Sequence, residues 1–175
     1  DFGRDHGLAK IRTYEEFVRA VPLGNYETHE PYVQRVLSGQ SQALLPPGEK
    51  PLMFSLTSGT TGKPKYIPVT ARFATVMRQG WNIFGFRTLS DHPAGWLRPI
   101  LTISSPMRET DSPTGLACGA ISGLLAQTQK RIVQRMYVVP RAVTAIKDPA
   151  ARYYTTLRCG IGHDVGIITT ANPSS

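Results

Sequence analysis

Residues 58–65 hold the chain's densest set of groups suited to gripping an anion. Ser58, Thr60 and Thr61, with Thr57 just ahead, supply hydroxyls; Gly59 and Gly62 supply backbone freedom; Lys63 and Lys65 supply charge. Glycines let successive N–H groups turn toward one concave point, and such a nest of amides binds anions. Hydroxyl donors and two ammonium groups strengthen it. The composition suits a polyphosphate. A solvated hairpin turn uses the same residue types. What argues against so plain a reading is the setting, between two apolar runs at residues 52–56 and 66–69 that read as short strands. The stretch is not a Walker A loop, because the G-x-x-x-x-G-K-[ST] spacing is missing and a strand, not a helix, follows.

The elements that must carry this loop are marked by caps and periodicity. Thr13-x-x-Glu16 is a capping box; Tyr14, Phe17, Val18 and Val21 follow at helical spacing, and Pro22 closes the helix. A second short helix is expected over residues 31–37, with Tyr32, Val33, Val36 and Leu37 as its stripe and Gly39 as its stop. Residues 40–50 read as an irregular connection. Beyond the loop, Thr70 can cap a long helix over residues 71–89, where Phe73, Met77, Trp81 and Phe84 share one face. Core packing alone would explain that stripe. Residues 99–104 read as a buried strand, 105–115 as a polar loop, and 119–123 as a glycine-rich turn that passes into a helix over 124–135. A short strand is expected at 136–139. Asp148-Pro149 marks a helix start, with Tyr154 and Leu157 facing inward and Cys159-Gly160 as the stop. Residues 165–170 read as the last strand and Asn172-Pro173 as the opening of another helix. Helices alternating with short apolar strands predict a layered α/β fold.

The 175 residues are enough for a sizeable core, and 41% hydrophobic with 18% charged residues describes a globular chain. No apolar run reaches the length of a membrane span. A net charge of +8 suits a polyanionic partner, yet the basic residues are scattered and no aromatic RNA-binding signature interleaves with them. Nucleic acid is therefore not an expected partner; a cationic surface on a nucleotide enzyme fits better. Cys118 and Cys159 stand far apart, with neither a disulfide framework nor zinc spacing, as suits a reducing cytoplasm. His6, His29, His92 and His163 form no metal-binding spacing, and there is no G-x-S-x-G nucleophile elbow.

The run Ser58-Gly59-Thr60-Thr61-Gly62-Lys63-Pro64-Lys65 resembles the phosphate-binding loop of the adenylate-forming superfamily. Phe54-Ser55-Leu56-Thr57 before it, Tyr66-Ile67-Pro68-Val69-Thr70 after it, and Val21-Pro22 with Tyr26-Glu27 upstream narrow the resemblance. They are similar to the Gretchen Hagen (auxin-responsive promoter) family of acyl acid amido synthetases, from about residue 2 to the end. The resemblance implies an ATP-dependent ligase that adenylates a carboxylic acid, releases pyrophosphate, and passes the acyl group to an amino acid. Ser58, Gly59, Thr60, Thr61 and Gly62 would hold the β- and γ-phosphates, Lys63 and Lys65 would neutralise them, and Mg²⁺ would bridge phosphate oxygens. No covalent catalyst is needed, only positioning and charge stabilisation. In relatives the helix after the loop contributes to the acyl-acid pocket, which makes Trp81, Phe84 and Arg87 candidates, Arg87 as a carboxylate partner. The expectation is then a partial N-terminal ATP- and acyl-binding domain over residues 1–175, without a C-terminal domain, from a cytoplasmic enzyme. Transfer to coenzyme A is an alternative, since the superfamily shares the loop. A basic phosphate- or nucleic-acid-binding module and an inactive remnant are others.

Overall fold

In a computed structural model the chain is described over residues 1–57, 63–95 and 97–170. It divides into two units, Asp1–Thr70 with Asp111–Cys118, and Ala71–Thr110 with Gly119–Ser175.

The first unit opens with a single helical turn, α1 (Phe2–Asp5), and then α2 (Tyr14–Ala20). The capping box at the start of α2 forms as expected: Glu16 N donates to Thr13 Oγ1 at 3.2 Å, and Thr13 N donates to Glu16 Oε2 at 3.3 Å. Helix α3 (Tyr26–Leu37) begins five residues before the predicted start at Pro31. Asn25 is its cap: Thr28 N donates to Asn25 Oδ1 at 3.2 Å, and Asn25 N donates to Thr28 Oγ1 at 3.4 Å. A proline at the sixth position forfeits one backbone hydrogen bond, and this reciprocal cap outweighs that loss. Gly39 ends the helix with φ +95°, a conformation that needs glycine.

Strands β1 (Pro51–Thr57) and β2 (Lys65–Thr70) pair antiparallel, with Thr57 opposite Lys65. The two expected strands are present and paired; residues 58–62 between them lie outside the described chain. Strand β2 is at the sheet edge, where Pro68 can lack an N–H without breaking a ladder. Val33, Val36 and Leu37 of α3 pack on Phe54 of β1, which is fully buried with Met53 and Val69.

The second unit begins with α4 (Ala71–Asp91), the long helix anticipated. Its aromatic stripe is not core in the described chain: Ala74 alone is buried, while Trp81 is 41% and Phe84 62% exposed. Strand β3 (Ile100–Ile103) follows. Residues Asp111–Cys118 belong to the first unit: the stretch expected to be a polar loop contains a two-residue strand, β4 (Thr110–Asp111), which with β5 (Ala117–Gly119) extends the first sheet in the order β2-β1-β5-β4.

The helix predicted over residues 124–135 is broken in two, α5 (Ile121–Gln127) and α6 (Arg131–Gln134). Thr128 interrupts it, its hydroxyl donating back to the Leu124 carbonyl at 2.8 Å, the local competition expected of such a residue. Residues 136–139 are not a strand. They touch β3 through one isolated bridge between Tyr137 and Ile100. Helix α7 (Arg141–Thr144) was not anticipated, since one turn leaves no periodicity to read.

Helix α8 (Pro149–Ile161) starts where Asp148-Pro149 predicted, with Ala151 N donating to Asp148 Oδ1 at 2.7 Å. Its buried face is the opposite of the expected one. Tyr154 and Leu157 are exposed, whereas Arg152, Thr156 and Gly160, four apart, face inward. Gly160 is not a stop either, because a Cβ there would lie 3.2 Å from both Leu101 methyl groups. It lets α8 approach β3 closely. Strand β6 (Ile167–Thr170) completes the unit, parallel to β3 from Ile100 opposite Ile167 to Ile103 opposite Thr170. Parallel pairing requires the long helical connection that α5–α8 supply.

Candidate functional site

Two features of the described chain could hold small molecules, one in each unit. The first flanks the glycine-rich loop. Ser58, Gly59, Thr60, Thr61 and Gly62 lie outside the described residues, so the geometry available is that of the loop's exit. Lys63 is exposed just ahead of β2, and Lys65 is the strand's first residue.

Lys65 is held from two sides. Its Nζ lies 3.3 Å from Glu27 Oε1 and 5.2 Å from the centroid of the Tyr26 ring. The Tyr26 hydroxyl in turn accepts from Tyr66 N at 3.0 Å. Both partners sit in the first turn of α3, so the Asn25 cap that starts this helix also fixes where the lysine points. Glu27's carboxyl is held below the usual carboxylate range by a backbone hydrogen bond at the helix start and then by Lys65. Neutral pH therefore leaves a carboxylate against an ammonium, partly exposed and within reach of solvent anions. Tyr26-Glu27 was visible in the sequence only as a flank of the motif; that it braces Lys65 was not.

The second feature is a cavity of about 320 Å³ in the second unit. One wall is apolar: Met77 and Trp81 from α4, Ile103 from β3, and Ile121, Leu125 and Ala126 from α5. Polar groups converge on the rest. Arg78 of α4 lines it and donates from Nη2 to Thr128 Oγ1 at 2.6 Å. On the strands, Thr102 Oγ1 and Thr169 Oγ1 lie 2.9 Å apart. Burial pushes the Tyr137 phenol up, against hydrogen bonds with Gln129 and Thr102 that pull the other way. Ser104 also lines the space and is buried. Apolar walls with a few convergent polar groups are what ligand pockets of this size present.

Of the three acyl-site candidates, Trp81 lines this cavity. Phe84 packs edge-to-face on Trp81 with ring centroids 5.8 Å apart, outside the lining. Arg87 is exposed and paired one turn along with Asp91 at 2.9 Å, and does not line the cavity. Arg78, nine residues earlier on the same helix, is the cation that does. Helical spacing could have found it: Arg78 is one position from Met77 and three from Trp81, on the edge of the stripe. Ser104 and Tyr137 carried no sequence signal. Three of the histidines bond backbone carbonyls four residues back through Nδ1, His6 to Phe2, His29 to Asn25 and His163 to Cys159. Among the described residues no group of three or more His, Cys, Asp or Glu could hold a metal ion.

Residues 1–175 match the model of the GH3 family N-terminal domain. Over 69 residues the chain is 36% identical to the jasmonoyl--L-amino acid synthetase GH3.5 of Oryza sativa subsp. japonica, covering 39% of this chain and 12% of that protein. Its fold resembles the solved GH3.15 acyl acid amido synthetase with a TM-score of 0.65 at 23% identity, over 87% of this chain and 26% of the other. The structure of AtGH3.15 acyl acid amido synthetase in complex with 2,4-DB gives 0.69 at 24% identity, over 87% and 27%. The chain thus spans about a quarter of the length of these solved relatives. At such identities the likeness establishes the α/β fold, while the family follows from the match along the whole chain: the protein belongs to the GH3 family, as a member of its N-terminal domain.

Proposed function

We propose that this chain serves an ATP-dependent acyl acid amido synthetase, holding the nucleotide's phosphates in one unit and the acyl acid in the other. The observation that carries the reading is the cavity of the second unit, apolar along α4 and α5 and supplied with one arginine, Arg78, among its described lining residues. An organic acid needs such a place: burial for its carbon body and a guanidinium for its carboxylate.

The phosphate site follows from Lys63, Lys65 and the hydroxyls and amides of residues 58–62. Lys65 is presented at a strand end and braced by Glu27 and Tyr26, so its ammonium loses little freedom when it meets a phosphate. These donors fit a polyphosphate. Mg²⁺ in this reading arrives on the nucleotide's own phosphate oxygens, which suits an ion that keeps several waters and few protein ligands. The carboxylate attacks the α-phosphate, pyrophosphate leaves, and an amino acid's amine then displaces AMP from the acyl-adenylate. Chain residues have to position reactants and offset the charge that develops on phosphate, and need form no covalent bond. A cytoplasmic setting suits a chain whose two cysteines, Cys118 and Cys159, offer no disulfide framework.

The test is pyrophosphate release by the full-length protein carrying this chain, over aryl and alkyl acids, with amino acids or coenzyme A as acceptor. Amide formation with an amino acid is expected. Lys65→Ala should lower kcat/KM for ATP by about tenfold to a hundredfold, one charge-assisted hydrogen bond being worth ~1.5–3 kcal/mol. The pair Thr60→Ala with Thr61→Ala should do the same. Thioester formation with coenzyme A alone, or unchanged pyrophosphate release in these variants, would refute the reading.

A further inference from the structure

Ser104 lies at the end of β3 and is 8% exposed, and its hydroxyl has no hydrogen-bond partner among the described residues. Buried polar groups are paired as a rule, so an unpaired one calls for an explanation. Its neighbours do not supply one. Thr102 and Thr169 are bonded to each other, Tyr137 to Gln129 and Thr102, and Arg78 to Thr128. Ser104 lines the 320 Å³ cavity and also a second one of about 210 Å³ beyond it, the two sharing Thr102, Ala126 and Tyr137 as well. The hydroxyl is thus buried at the boundary of the two cavities, where a ligand group filling either one is its nearest available partner.

Local backbone keeps it there. The segment after Ser104 is pinned onto the turn before α5, with Ala120 N donating to the Pro106 carbonyl at 2.8 Å. At Gly123 an added Cβ would lie 2.7 Å from the Ser105 carbonyl oxygen. With β3 fixed by β6 up to Ile103, the backbone that carries Ser104 is held on both sides.

We infer that Ser104 sets the specificity of the acid site, favouring carboxylic acids that bear a hydroxyl or similar hydrogen-bonding substituent on the part of the molecule away from the carboxylate. The inference rests on the proposed acid site. The carboxylate belongs to Arg78 on α4, and the serine, on a different element of the same cavity, meets the far substituent. A serine hydroxyl both donates and accepts, so it can pair with a phenol, an alcohol or a carbonyl. An acid without such a group leaves Ser104 buried and unpaired once it displaces water, and that difference discriminates. The wall formed by Met77, Trp81, Ile121 and Leu125 binds the carbon body of either acid equally well.

The experiment uses benzoate, para-methylbenzoate as a size control, and meta- and para-hydroxybenzoate, with the full-length protein carrying this chain. Two readouts are taken. One is equilibrium binding without ATP, followed by the tryptophan fluorescence change that Trp81→Phe removes. The other is ATP-dependent pyrophosphate release. At least one hydroxybenzoate is expected to surpass benzoate and the methyl control by about tenfold to a hundredfold in both, the range of one satisfied against one unsatisfied buried hydroxyl. Ser104→Ala should collapse that ratio and Ser104→Thr should retain it. Ser104→Ala deletes only an unpaired hydroxyl, so its thermal unfolding should match the parent and separates a binding effect from misfolding. A ratio near one in the parent, a ratio unchanged by Ser104→Ala, or an equal loss for all four acids would each overturn the inference; the last would make Ser104 a carboxylate contact. Binding with the expected ratios but without pyrophosphate release would sustain the inference while removing the synthetase reading.

Discussion

One substitution made at two glycines should give opposite outcomes. At Gly123, in the first turn of α5, a Cβ would sit 2.4 Å from the Met107 amide nitrogen, 2.7 Å from the Ser105 carbonyl oxygen and 2.9 Å from the Met107 Cα. All three are backbone atoms, so no rotamer change can make room. At Gly80, within α4, an added Cβ meets nothing within 4 Å. Replacing a helix-interior glycine by alanine where space is free gains about 0.5–1 kcal/mol, chiefly by restricting the unfolded chain. Overpacking costs about 1–3 kcal/mol, and more where backbone has to move. With ~2–4 °C per kcal/mol for a chain of this size, Gly80→Ala should raise Tm by roughly 1–4 °C. On the same scale Gly123→Ala should lower it by roughly 2–12 °C. Thermal unfolding followed by far-ultraviolet circular dichroism, at matched protein concentration, reads both. Ile121 and Ser122, just before Gly123, line the cavity. Gly123→Ala should therefore also weaken acid binding, which Gly80→Ala should not. A stabilised Gly123→Ala, or shifts of one sign at both positions, would refute the close packing of residues 105–107 on α5.

Two further outcomes follow from the charged groups. Glu27's folded-state carboxyl is held below its ordinary range, so its contribution to stability is present above that range and is lost as pH falls through the lowered value. Glu27→Gln should flatten that acid limb in a pH series of Tm, and by removing the brace on Lys65 should weaken ATP binding in titration calorimetry. Arg152 is 7% exposed, with Nη1 donating to the Ile146 carbonyl at 2.8 Å and Nε unpaired. Arg152→Ala should cost about 1.5–3 kcal/mol in urea unfolding, the value of hydrogen bonds to a charged group, and Arg152→Lys should not restore it, because a lysine lacks the planar fork.

Local signals in the sequence were sound where one segment contains its own cause. Thr13 with Glu16, and Asp148 with Pro149, each satisfy their helix start with residues three or fewer apart, and both starts are where they were expected. The strands around residues 58–65 also announce themselves, since their apolar runs face one core. Failures came where a distant partner decides. Tyr154 and Leu157 were placed inward because they are apolar, yet α8 turns Gly160 to Leu101 of β3, and the helix's other residues follow that rotation. A glycine that permits contact and a glycine that ends a helix look alike in one dimension. Thr128 likewise breaks a helix that composition alone would continue.

The candidate site divides along the same line. Residues 58–65 stand out in the sequence as an anion-binding candidate because one short run carries all of that chemistry. The acid cavity does not, because it is assembled from α4, β3, α5, the Tyr137 bridge and β6, each contributing one to four ordinary residues. Arg78 and Arg87 show what decides between candidates on one helix. They are nine residues apart, two and a half turns, which puts them on opposite sides of α4. Both are arginines near aromatic residues, and the sequence ranks neither above the other. Packing does: Arg87 turns to Asp91 in solvent, while Arg78 reaches across to Thr128 at the end of α5. In the proposed reading a carboxylate entering the cavity would meet Arg78 already oriented by that threonine, whose hydroxyl also bonds the Leu124 carbonyl at the end of α5. The helix break that sequence reasoning missed and the arginine it did not choose are thus one arrangement, in which Thr128 closes the helix and aims the cation.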